Sequence, residues 1–128
     1  MDCGTSCSAT PTLVKCSKGY GHIDTNGLET LIAAEVPVVI LDARGGKWDD
    51  KKRIAHATSL TYEATAEEAE SAIPCKKSLI VVYCSNTQCP ASHALAKRLT
   101  ELGYAHILEY AEGIQEWMNC GYPVKEAK

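Results

Sequence analysis

Two hydrophobic rhythms alternate along this chain. Val36-Pro37-Val38-Val39-Ile40-Leu41 and Leu79-Ile80-Val81-Val82-Tyr83 are apolar without a polar partner at every second position. Such runs are expected of strands covered on both faces in a parallel sheet. Ala91, Leu95, Leu99 and Leu102 instead fall on one stripe of a helix, with Pro90 at its start and Gly103 as its stop. Upstream, Tyr20 to Ile23 reads as a short first strand. Leu28, Leu31 and Ile32 then mark a helix capped by Asp24 or Asn26, with Glu29 as a capping-box partner of Asn26. Lys47 to Arg53 is charged and reads as a solvated loop, whose basic residues would help attract an anionic substrate. Ile54 to Leu60 includes a short strand, and Ala64 to Ile73 is a helix that Pro74 ends. Cys75 beyond it is expected to be a small, half-buried residue. His106 to Tyr110 is a last strand, and Gly113 to Met118 a closing helix terminated by Gly121-Tyr122-Pro123. Trp117 and Tyr122 read as core, and Lys125 to Lys128 as a polar tail.

Strands alternating with helices imply an α/β fold: a doubly wound parallel sheet with helices on both faces. Residues 20–125 form that domain, and residues 1–19, rich in Ser, Thr and Cys, read as a flexible leader. Functional sites in such folds gather at the carboxyl ends of the strands. Asp42 and Cys84 each end an apolar run, so their loops are expected on one edge of the sheet.

Length and charge narrow the picture. The 128 residues suit one domain, and a net charge of -3 argues against a general nucleic-acid binder. No apolar run approaches the ~20 residues that span a bilayer. Seven cysteines, an odd number, leave at least one unpaired in a monomer. An α/β chain of this size needs no disulfide framework, so mostly free thiols and a reducing, cytoplasmic compartment are expected. An exported form would require a leader that has been removed. Cys3, Cys7 and Cys16 have spacings that fit no common zinc knuckle, and no metal or other cofactor is expected.

The chemistry concentrates at Cys84-Ser85-Asn86-Thr87-Gln88-Cys89. A cysteine at the end of a buried strand, just before a helix, lies where unpaired backbone N–H groups and the helix dipole favour an anion. The position suits a thiolate or a persulfide, with the backbone of Ser85 through Cys89 ringing its charge. Cys89 has two readings: a resolving thiol that forms a disulfide with an oxidised or persulfidated Cys84, or a small residue packed at the helix start. Asp42 is expected to fix its loop by hydrogen bonds, and Arg44 to pair with an acid; both are supporting residues. His56 and His93 are the histidines nearest the site in pattern, His93 facing solvent in the first helical turn.

These segments together resemble the rhodanese-like single-domain sulfurtransferases. Val38-Val39-Ile40-Leu41-Asp42-Ala43-Arg44 looks like the family's strand ending in Asp-x-Arg, and Arg53-Ile54-Ala55-His56-Ala57 like a degraded form of its HIPGA segment. Val81-Val82-Tyr83-Cys84 is similar to its nucleophile strand. Leu102-Gly103-Tyr104, Tyr110-Ala111-Glu112-Gly113-Ile114-Gln115-Glu116-Trp117 and Gly121-Tyr122-Pro123-Val124 resemble its ending. The resemblance implies a persulfide on Cys84, loaded from thiosulfate or a similar small donor and passed to a thiol, cyanide or a protein acceptor. The loop departs from the usual Cys-x4-Arg-Ser: Ser92 matches the serine, no Arg or Lys lies between Cys84 and Ser92, and Cys89-Pro90 stands where a cation is common.

Three other readings remain from the residues. Phosphate or arsenate chemistry needs Cys-x5-Arg to neutralise a tetrahedral oxyanion, and position 90 is Pro. A thiol redox sensor would use Cys84 and Cys89. A non-enzymatic binding module would keep the fold without turnover.

Overall fold

A computed structural model describes residues 20–126. The leader at 1–19, with Cys3, Cys7 and Cys16, lies outside the described residues. The element order is β1 (Gly21–His22), α1 (Thr25–Ala33), β2 (Val39–Asp42), β3 (Lys52–Ile54), β4 (Thr58–Ser59), α2 (Ala66–Ala72), β5 (Leu79–Tyr83), α3 (Ala91–Glu101), β6 (His106–Tyr110), α4 (Gly113–Asn119) and β7 (Val124–Glu126). Five strands form a parallel sheet in the order β1-β6-β5-β2-β4. Asp42, Tyr83 and Tyr110 are level in the register, so the carboxyl ends of the three middle strands finish together.

The unalternating apolar runs have the cause expected of them, two covered faces. On one face, Ile80 and Val82 pack with Leu95 and Leu99 of α3 and Ala69 of α2. On the other, Val81 and Tyr83 pack with Leu28 of α1 and with Ile114 and Trp117 of α4. Each fully buried aliphatic or aromatic side chain contributes roughly 1.5–3 kcal/mol through removal from water.

Helix ends follow local chemistry. Asp24, not Asn26, caps α1, its carboxylate accepting from the Gly27 amide at 2.7 Å. The capping box is found at α2 instead, where Thr65 and Glu68 exchange bonds of 2.9 and 3.1 Å. Gly103 ends α3 with φ +100°, a left-handed backbone that glycine adopts without a side-chain clash.

Two expectations need correction, and the tail, polar as read, also carries structure. The charged segment before Ile54 is not a solvated loop throughout: a 3-10 turn at Gly46–Trp48 leads into β3, and Arg53 is buried. The polar tail is a strand up to Glu126, because β7 pairs antiparallel with β3 and sets Ile54 opposite Val124. That apolar pair joins the core beside α4, while Lys52 faces Glu126 with opposite charge. Cys75 is exposed rather than half-buried, in a run of exposed residues between α2 and β5. No helix among the described residues is long and apolar enough to cross a membrane.

Candidate active site

The chain leaves β2 for β4 on one side of the sheet and leaves β5 for β6 on the other. Connections that diverge from adjacent strands open a crevice at their carboxyl ends, the usual ligand position in doubly wound sheets. The loops following Asp42 and Tyr83 leave that edge side by side, joined by a bond from the Ala43 amide to the Tyr83 carbonyl at 2.8 Å. Cys84 stands there, 2% exposed.

The segment from Ser85 to Cys89 folds back over Cys84. Asn86 organises the turn: its side-chain oxygen accepts from the Gln88 amide at 2.9 Å, and its carbonyl from the Cys89 amide at 3.1 Å. The returning chain brings Cys89 to a Cα separation of 6.3 Å from Cys84, and the two sulfurs are joined as a disulfide. In this closed state the amides of Gln88 and Cys89 turn inward to Asn86 and do not surround a sulfur. Thr87 and Gln88 are exposed.

Helix α4 holds the base of the loop. Its first amides, which have no intrahelical partner, donate to the loop carbonyls: Ile114 to Cys84 and Gln115 to Ser85, both at 3.0 Å. The Gln115 side chain accepts from the Asn86 side-chain amide at 3.0 Å. Gly113 makes this approach possible. Its φ is +75°, and a Cβ there would lie 2.5 Å from the Ser85 carbonyl.

A second support lies under the β2 loop. Asp42 is fully buried and accepts from the Arg44 amide at 3.0 Å, Arg44 Nη2 at 2.7 Å, Arg53 Nη1 at 3.2 Å and the Tyr83 hydroxyl at 3.2 Å. Arg44 also donates to the Lys52 carbonyl at 2.6 Å and pairs with Asp50 at 2.9 Å. Burial works against the Arg44 charge, but Asp42 and Asp50 outweigh it and the guanidinium holds its proton more tightly than in water. Arg53 forks onto Asp49 at 2.8 and 3.0 Å, and its hydrogen bond holds the Asp49 carboxyl down at about 2. Both arginines are therefore already matched by acids. Burial first, and then the Asp42 charge, push the Tyr83 hydroxyl well above its ordinary value.

The remaining expected residues divide. Ser92, in the first turn of α3, is buried and donates to Glu109 at 2.7 Å; Glu109 also meets the His22 ring at 3.3 Å. His93 is exposed and its Nδ1 is hydrogen-bonded to the Tyr20 hydroxyl. His56 is not at that edge: its Nε2 donates to the Val38 carbonyl at 2.7 Å, at the amino end of β2. A cavity of about 550 Å³ also lies at that opposite edge, between Val38, His56 and Leu79. Among the described residues, no group of three or more His, Cys, Asp and Glu could hold a metal ion.

Sequence reasoning missed Arg53, Glu109, Gly113 and Gln115. Glu109 had a signal, a lone charge inside the strand His106–Tyr110. Gly113 had one in its place at a helix start. Arg53 and Gln115 had none that was local.

Fold and site together define an α/β domain that presents a cysteine loop at the carboxyl edge of a parallel sheet. The sequence matches the family model of the rhodanese-like domain over residues 25–120, and the chain belongs to that family. No curated protein matches the sequence. Among solved structures, a Bacillus halodurans protein is similar with a TM-score of 0.74 at 20% identity, over 83% of this chain and 77% of that one. A rhodanese-related protein from Thermoplasma volcanium is similar with a TM-score of 0.65 at 24% identity, over 83% and 98% of the two chains. A thiosulfate sulfurtransferase from Pseudomonas aeruginosa gives 0.66 at 16% identity, over 85% of this chain and 21% of that one. At these identities the likeness speaks to the fold.

Proposed function

We propose that the protein is a sulfurtransferase that carries sulfane sulfur as a persulfide on Cys84. The observation that carries this reading is the placement of Cys84: buried at the carboxyl end of the central strand, before α3, in a loop anchored by α4. The working form has the disulfide reduced. The Cys84 thiolate attacks the outer sulfur of a donor such as thiosulfate, the sulfur–sulfur bond of the donor breaks, and sulfite leaves with the bond's electron pair. An acceptor thiol or cyanide then removes the outer sulfur and restores the thiolate. The Ser85, Asn86 and Thr87 amides are those left to share the persulfide charge, since Gln88 and Cys89 are tied to Asn86. Asp42 and Arg44 support the neighbouring loop and do not contact the donor.

The partners that fit are a small sulfur donor and a thiol acceptor, including a protein thiol. Neither Arg44 nor Arg53 is free for an oxyanion, which argues against phosphate or arsenate turnover.

The test uses Cys89→Ser, which leaves Cys84 without its disulfide partner. After reduction and removal of the reductant, exposure to thiosulfate or a low-molecular-weight persulfide is expected to add one sulfur atom, seen by intact mass and removed by cyanide. The same treatment of Cys84→Ser adds none. An adduct that survives in Cys84→Ser contradicts the proposal.

A further inference from the structure

We propose that Cys89 is the resolving thiol of this site, so that sulfur loaded on Cys84 leaves as hydrosulfide and the protein acts as a dithiol-dependent reductase of sulfane sulfur. The inference rests on the persulfide reading of Cys84 and adds the fate of the sulfur, the electron source and the residue responsible.

The geometry points to Cys89 because the loop itself delivers it. The two bonds to Asn86 close the turn, and the Asn86 side chain is tied in turn to Gln115 of α4. The resulting Cα separation of 6.3 Å lies within the ~4.4–6.8 Å that a disulfide spans. A thiol held this close competes with outside acceptors as an intramolecular group, with the large effective concentration such groups enjoy. Cys84 is 2% exposed, which favours an internal thiol for attack at its sulfur, and the more exposed Cys89 is the sulfur open to an outside dithiol afterwards. The other described cysteines do not compete. Cys75 is exposed beyond α2, and Cys120 is exposed past the far end of α4 from the loop.

The chemistry balances with one named co-reactant. The Cys89 thiolate attacks Sγ of Cys84, the bond between Sγ and the outer sulfur breaks, and hydrosulfide departs with its electron pair. The product is the Cys84–Cys89 disulfide. An external dithiol of the thioredoxin or glutaredoxin class then exchanges with that disulfide, restoring both thiols and becoming a disulfide itself. Over one cycle the donor's sulfane sulfur is reduced by two electrons from the dithiol. The disulfide state is thus a step of the cycle, with the Cys84 sulfur already relieved of its load. The absence of Arg or Lys between Cys84 and Ser92 is consistent with this chemistry, because attack at Sγ builds no new oxyanion.

The test is a single turnover of pre-reduced protein with the reductant removed. Wild type given one equivalent of donor is expected to release hydrosulfide and to end with two hydrogens fewer than the reduced protein, peptide mapping placing the link between Cys84 and Cys89. Cys89→Ser and Cys89→Ala should stop at the sulfur adduct and release hydrosulfide roughly a hundredfold more slowly, until a thiol is added. With a catalytic dithiol reductase present, wild type should turn over repeatedly. A wild-type adduct as long-lived as that of Cys89→Ser, or equally fast release from the variants, would overturn the inference and leave sulfur loading on Cys84 intact. No adduct on Cys89→Ser or Cys89→Ala with any donor would overturn both.

Discussion

Asp42 shows how one carboxylate organises a site it does not enter. It is fully buried and gathers Arg44, Arg53 and the Tyr83 hydroxyl, joining β2, β3 and β5 at the edge where Cys84 emerges. Removing its charge leaves two buried guanidinium groups with only their outer partners, Asp50 for Arg44 and Asp49 for Arg53. Asp42→Asn is therefore expected to lower unfolding stability by about 3–5 kcal/mol, read by chemical denaturation. The sequence reading of Asp42 as a loop-fixing residue and Arg44 as an acid's partner matches this geometry. Arg53 was invisible because its burial depends on β7 arriving from the far end of the chain. Asp49 sets a pH dependence with a definite sign. Arg53 holds its folded-state carboxyl at about 2, below the ordinary value of 3.8, so the pair's contribution is full above the ordinary value and is lost as pH falls through about 2. The stability difference between wild type and Asp49→Asn should shrink steadily as denaturation is followed across that interval. A difference that stays constant there would contradict the assignment.

At the scale of elements, the loop after β5 is shaped from below by α4 as much as by its own residues. The first amides of α4 hold the carbonyls of Cys84 and Ser85, and Gly113 allows the approach. Gly113→Ala forces a side chain into a left-handed backbone and against Ser85, and is expected to cost at least about 1–3 kcal/mol. Thermal denaturation checks the loss, and amide exchange at Ile114 and Gln115 should rise in the same variant. Elements with strong local pattern were legible: β6 falls at His106–Tyr110 as read, and the α3 stripe at Leu95 and Leu99 is fully buried. β3 and β7 were not, because three-residue strands with Lys, Arg and Glu carry no period and exist only by pairing with each other. The capping box at Thr65 and Glu68 was present as a Thr-x-x-Glu signature and was overlooked in favour of Asn26, where Asp24 is better placed.

At the scale of the whole molecule, the strand order matters more than any single segment. It turns two runs that end in Asp42 and Cys84 into neighbours and brings their loops to one edge. Alternation of strands and helices was enough to anticipate a doubly wound sheet with the loops after Asp42 and Tyr83 at one edge. It left both readings of Cys89 open, because spacing along a non-periodic loop does not fix where the chain returns; the bonds centred on Asn86 do that. Every proposed step begins with sulfur loaded on Cys84. The most direct measurement is intact mass with peptide mapping of pre-reduced Cys89→Ser protein after exposure to a sulfane-sulfur donor. One added sulfur, located on Cys84 and removed by cyanide, is the result predicted; a protein of unchanged mass across a panel of donors, or an adduct mapped to another cysteine, would contradict it.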